Sequence, residues 1–151
     1  MADTTIRWTC VQRTLDLARE RPELAGVTVT GVYPGDDRGT ELVYVGDLTG
    51  DLNVPLTRSA SQRVIYDDEF DITWVVEVRS NGLTADQVMA RADEIIGVLQ
   101  DVIANDAQLD TLDGVVSSRL TRQEGPTGAE IRGAGVIAIA HLVQHIHSRL
   151  Q

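Results

Sequence analysis

From Val64 to Val78 the chain alternates strictly enough to fix much of the fold. Val64, Tyr66, Phe70, Ile72, Trp74, Val76 and Val78 share one parity, while Glu69, Asp71, Thr73, Glu77 and Arg79 take the other. Successive side chains of a strand point to opposite faces, so this segment reads as one long strand with an apolar face and a polar face. Strands of that kind belong to antiparallel sheets, which bury one face and leave the other for solvent or a neighbouring subunit. The apolar face needs helices to cover it.

Two helices are available. The first is expected from Ile6 to about Arg21, capped by Thr4 or Thr5 and stopped by Pro22, with Trp8, Val11, Leu15 and Ala18 as its apolar stripe. The second follows Ser80-Asn81-Gly82. Thr84 and Gln87 form the capping-box pattern T-x-x-Q, and Val88, Ala92, Ile95, Ile96, Leu99, Val102 and Ile103 make a continuous stripe to about Ala104. Arg91, Asp93, Asp101 and Asn105 are left as its solvated face.

The remaining strands are shorter or less regular. Val27 to Tyr33 and Glu41 to Val45 are expected to pair as a hairpin through the turn-forming run Pro34 to Gly39. Residues 46–62 are rich in Gly, Asp, Asn, Pro, Thr and Ser, with Leu52, Val54 and Leu56 as isolated apolar side chains, and read as a long loop. Two last strands are expected from Gly114 to Gln123 and from about Glu130 to Leu150, separated by a turn at Glu124 to Gly128. A helix over Val136 to Leu150 is the rival reading of the final segment. The expected fold class is therefore α+β, a small antiparallel sheet with two helices packed on one face, in the order α-β-β-β-α-β-β.

Length and charge narrow the function. The 151 residues suit one domain with one core, 1–151, and a hydrophobic fraction of 42% argues against disorder. All 13 basic residues are Arg, a bias that a GC-rich coding genome explains without any functional demand. A formal net charge of -10 disfavours a protein that grips nucleic acid, because phosphate binding needs clustered cations. An acidic wall suits DNA that must slide past. One cysteine, Cys10, forms no internal disulfide and fits a helical core position. With no basic n-region before an apolar run and no stretch long enough to span a bilayer, the expectation is a cytosolic fold and no membrane partner.

Motifs for chemistry are sparse. His141, His145 and His147 share strand parity, but no Cys joins them and the nearest carboxylates in sequence are distant, so surface or interface histidines outweigh a metal site. Asp36, Asp37, Glu41, Asp47 and Asp51 sit beside glycines but lack the spacing of a calcium loop. Asp67, Asp68, Glu69 and Asp71 could offer paired carboxylates, although a charge ladder on a strand explains them better. Ser59 and Ser61 have no nucleophile elbow, and the glycines match neither a P-loop nor a dinucleotide fingerprint. No catalytic residue, cofactor or metal is expected, and the chain is read as a non-enzyme.

Three stretches together resemble tail terminator proteins of long-tailed, siphovirus-type bacteriophages. They are Trp8-Thr9-Cys10-Val11 with Arg21 to Val27 and Pro34-Gly35, then Glu69-Phe70-Asp71-Ile72, then Gly133-Ala134-Gly135. The resemblance implies a structural virion protein that forms a ring, usually a hexamer, on the finished tail tube. The ring ends tube polymerisation and joins tail to head. Implied partners are further copies of the chain, the tail tube protein and head-tail connector proteins, with genomic DNA crossing the lumen without specific binding. The implied location is the virion tail near the head-tail junction, and the host cytoplasm during assembly. On this reading the loop with Leu52, Val54, Pro55 and Leu56 orders on a neighbour or on the tube, and the strand face with Glu69, Asp71 and Thr73 borders an interface. The alternatives are a head-tail connector or other minor tail protein, and a cytosolic ligand-binding protein or enzyme.

Overall fold

The computed structural model describes residues 6–35, 40–53, 66–131 and 135–150. In chain order these form α1 (Arg7–Glu20), β1 (Thr28–Thr30), β2 (Glu41–Asn53), β3 (Tyr66–Ser80), α2 (Ala85–Asp101), β4 (Val115–Ile131) and β5 (Gly135–Leu150). The α+β class and the element order are those expected. The strands make one sheet in the order β1-β2-β3-β5-β4, antiparallel except where β1 meets β2.

The alternation of β3 sets the layers. Phe70, Ile72, Trp74, Val76 and Val78 are buried on one face together with Ala138, Ala140, Leu142 and Ile146 of β5. Against them lie Val11, Leu15 and Ala18 of α1 and Val88, Ala92, Ile95, Ile96 and Leu99 of α2, all in one core cluster. The capping box is formed: Gln87 N–H donates to Thr84 Oγ1 at 3.3 Å and Thr84 N–H to Gln87 Oε1 at 2.9 Å. After α2 a turn of π-helix, Val102–Asp106, carries Val102 and Ile103 into the same core.

Polar groups on the core side are matched. Asp68, fully buried on the apolar parity of β3, accepts from Arg7 Nε at 2.9 Å and Nη2 at 2.5 Å, and the same guanidinium lies 5.1 Å from the centre of the Phe70 ring. Trp74 Nε1 donates to Gln144 Oε1 at 3.2 Å, and Gln144 Nε2 to Ser118 Oγ at 2.9 Å. Arg91 holds Glu41 at 2.6 Å, tying α2 to the start of β2. Arg21 bridges Asp101 at 2.7 Å and Asp106 at 2.8 Å, tying the end of α1 to the end of α2.

Several local expectations are corrected. The first two strands are parallel and not a hairpin, with Thr28 opposite Leu42 and Thr30 opposite Tyr44; β1 stops after three residues, where Thr30 Oγ1 donates to Val32 O at 2.5 Å. Residues 46–53 are strand, not loop: β2 continues to Asn53 beyond a register shift between Val45 and Asp47, and its glycines serve close approach to β3. Residues 54–62 lie outside the described residues, as do Val64, Thr4 and Thr5, and Ile6 is the N-cap of α1 without a side-chain bond. The turn expected at Glu124 to Gly128 is a bulge inside β4, where Gly125 and Pro126 interrupt the register between Glu124 and Thr127. Pro126 is tolerated there because an edge-strand bulge needs no N–H from it. The final segment is extended, which removes the helical alternative for Val136 to Leu150.

Trp8 is the other correction. It belongs to the sequence stripe of α1 but is 51% exposed, and Cys10 and Thr14 fill the core beside Val11 instead. Burial pushes the Cys10 thiol up to about 11, so it packs as an apolar group.

Candidate assembly surface

Both helices cover one face of the sheet, so the chain's second surface of interest is the opposite, outer face. The odd-numbered positions of β3 lie there, in register with odd positions of β5. At one end of this face Asp67, Glu69 and Asp71 stand opposite Arg149, His147 and His145. His145 Nδ1 is 2.8 Å from Asp71 Oδ1 and its Nε2 is 3.6 Å from Glu69 Oε1. His147 Nε2 is 3.2 Å and Arg149 Nε 3.0 Å from Asp67 Oδ1. The Arg149 guanidinium and then the His147 ring hold the Asp67 carboxyl below the usual carboxylate range.

The charge order continues outward in both directions. Beyond β3, β2 places Asp47 opposite Thr73 and Asp51 opposite Glu69. Beyond β5, β4 places Arg119 opposite His145 and Arg122 opposite Val143. The outer face therefore carries carboxylates at β2 and β3 and histidine and arginine side chains at β5 and β4, with Glu124 of β4, opposite His141, as an acid on the arginine side. The histidines that looked remote from carboxylates in sequence meet them through strand pairing, a non-local contact that no spacing rule could show. Among the described residues no group of three or more His, Cys, Asp or Glu side chains is placed to hold a metal ion.

The opposite end of the face is more apolar. Leu42, Val75 and Ile137 are buried there, and Tyr33 stands edge-on to Tyr44 with ring centres 5.1 Å apart. Burial, and after it the nearby Glu77 carboxylate, pushes Tyr44 up to about 12. Glu77 Oε2 and Arg79 Nε are buried without a hydrogen-bond partner among the described residues.

The two borders of the sheet differ. β1 covers only Leu42, Val43 and Tyr44 of β2, so from Val45 to Asn53 β2 has a described neighbour on one side only. β4, the other border, runs 17 residues but is broken by three register shifts and carries Arg119, Arg122, Glu124 and Glu130. Bulges and charge of this kind discourage indiscriminate strand addition.

Of the residues expected at an interface, Glu69, Asp71 and Thr73 lie together on the outer face, Glu69 exposed and the other two half-buried. Leu52 is in β2, in register with Asp68, and so belongs to a strand and not to a loop. Val54, Pro55 and Leu56 lie outside the described residues. His145 and His147 were expected as surface or interface histidines, whereas Arg119 and Arg122 beside them were not foreseen. Their signal was the parity of β4, which the bulges scramble. A hollow of about 230 Å³ between the end of α2 and β4 is lined by Ile103, Gln108, Leu109, Ser118, Arg119 and Leu120.

The fold defines a class: a single α+β layer pair, helices on one side and a charge-polarised sheet face on the other. A chain in the solved structure of the virion of a native gene transfer agent particle is similar in fold, with a TM-score of 0.53 and 17% identity over 89% of this chain and 91% of that one. No protein-family model matches the sequence. No curated protein matches it either. No helix among the described residues is long and apolar enough to cross a membrane.

Proposed function

We propose that this chain is a structural subunit of a phage-like virion, and more narrowly a tail terminator. Copies of it form a ring, six in number, on the last layer of the tail tube, end the tube's growth and offer the head-tail connector a docking surface. The mechanism is geometric. A ring of heterologous contacts closes on itself, seats on the tube through one rim and does not repeat the tube's own growing surface on the other. Genomic DNA crosses the lumen without specific binding, and the net charge of -10 suits a wall that must not hold phosphate. The chain acts in the virion tail near the head-tail junction after assembly in the host cytoplasm.

The observation that carries this reading is the charge-polarised outer sheet face bounded by two unlike borders, which suits repeated contact between like subunits better than it suits chemistry. The likeness in fold to a chain of a virion particle supports it. Tube subunits from the particle that carries this chain would be polymerised with and without it, and tube lengths measured by electron microscopy. A terminator shortens and narrows the length distribution at substoichiometric amounts. A connector or other minor tail protein binds finished tubes and leaves growth unchanged, and a ligand-binding protein or enzyme does neither.

A further inference from the structure

We infer that copies of this chain join head to tail, the β1–β2 border of one copy receiving β4 of the next. The inference deepens the reading of the chain as a ring-forming subunit, and it rests on that reading only for the claim that like copies meet.

Three observations converge on these borders. Charge is the first. Asp47 is exposed on β2, whereas Arg119 and Arg122 are exposed on β4, at the far side of the same sheet face. Arg122 pairs with Glu124 within its own strand, but Arg119 has no ion-pair partner among the described residues. Two copies meeting β2 to β2 would bring their Asp47 side chains together, whereas β2 meeting β4 gives Arg119 an acidic partner in Asp47. A contact between unlike patches is heterologous, the kind that closes rings.

Exposed apolar side chains are the second. Trp8 is 51%, Val32 67% and Tyr33 44% exposed, and all three border β1 and β2. A Cβ on Gly31 would lie 2.7 Å from the tip of the Trp8 ring, so the indole rests on the turn that leaves β1. Val116, 54% exposed, is on β4 three residues before Arg119. Trp and Tyr are common anchors of an interface, and an Arg arriving at such a border can stack on the indole.

Strand pairing is the third. β2 is open from Val45 to Asn53 among the described residues, while the bulges of β4 prevent a long continuous ladder. The junction is therefore made by side chains from β4 and not by an extended sheet.

The test uses Arg119→Glu, Asp47→Arg, the double variant and an equal mixture of the two single variants, with masses measured by sedimentation over a concentration series at low and high salt. The wild type is expected to self-associate, and either single reversal to weaken association about tenfold or more. The double variant regains it. So does the mixture, because alternating copies then meet through the native Asp47–Arg119 pair at one junction and through the same pair with both charges reversed at the next. A misfolded variant would not give that recovery. High salt weakens all of these assemblies. A wild type that stays monomeric at low salt overturns the inference and leaves the tube-length assay to decide the terminator reading. Reversals without effect, or without recovery in the double variant and the mixture, overturn it while leaving a ring of other contacts standing.

Discussion

At the scale of single residues, Asp68 shows how far strand parity can be pushed. It lies on the same face as Phe70, Ile72 and Trp74, fully buried, and is tolerable there only because Arg7 of α1 reaches it. Removing one partner of such a pair strands a buried charge, which costs about 3–5 kcal/mol, whereas replacing both by apolar groups is often nearly neutral. Arg7→Met should therefore lower stability by about that amount in urea denaturation, and Arg7→Met with Asp68→Leu should recover most of it; equal losses in both would count against the pair. Asp67, adjacent in sequence but on the outer face of the sheet, behaves differently. Its folded carboxyl gives up its proton more easily than in the unfolded chain, so it adds stability above the unfolded value and loses it as pH falls through the lower folded one. Asp67→Asn should flatten the fall in stability below about pH 4, measured by denaturation across an acid series. Trp8 marks the limit of reading a helix by period: positions 8, 11, 15 and 18 share a face, but the first turn of α1 stands against Gly31, where the indole is half in solvent.

Among the elements, those carried by strong local periodicity were legible and those governed by distant pairing were not. β3 and α2 follow directly from alternation and from the T-x-x-Q cap. β2 does not, because Gly46, Asp47, Gly50 and Asp51 resemble a turn until β3 is laid beside them. A Cβ at Gly50 would run into Glu69 O and Phe70 Cα, so the glycine is required by contact with β3 and not by a turn. Gly50→Ala should accordingly destabilise the sheet well beyond the usual strand preference of about 1 kcal/mol, as a drop in melting temperature. An unchanged melting temperature would show that β2 does not pair this far. The same blindness to pairing hid the acidic-to-basic order of the outer face. Glu69, Asp71 and Thr73 could be placed on a polar face from β3 alone, but their histidine and arginine neighbours come from β5 and β4, 74 residues away in sequence for His145 and Asp71.

For the whole molecule, the division of labour is between two faces. The helices take the apolar face and close the core. The outer face and its borders are then free to hold charge and exposed aromatic groups in an order that a monomer does not need. The proposed ring at a tube end would give that order a use, and the unlike borders would give the ring a direction. The most direct measurement is to bind the chain, labelled at one introduced cysteine in a Cys10→Ala background, to finished tail tubes and image the label. The account predicts label at one end of each tube, as a single ring of six. Label along the tube wall, at both ends alike, or on no tube would contradict it.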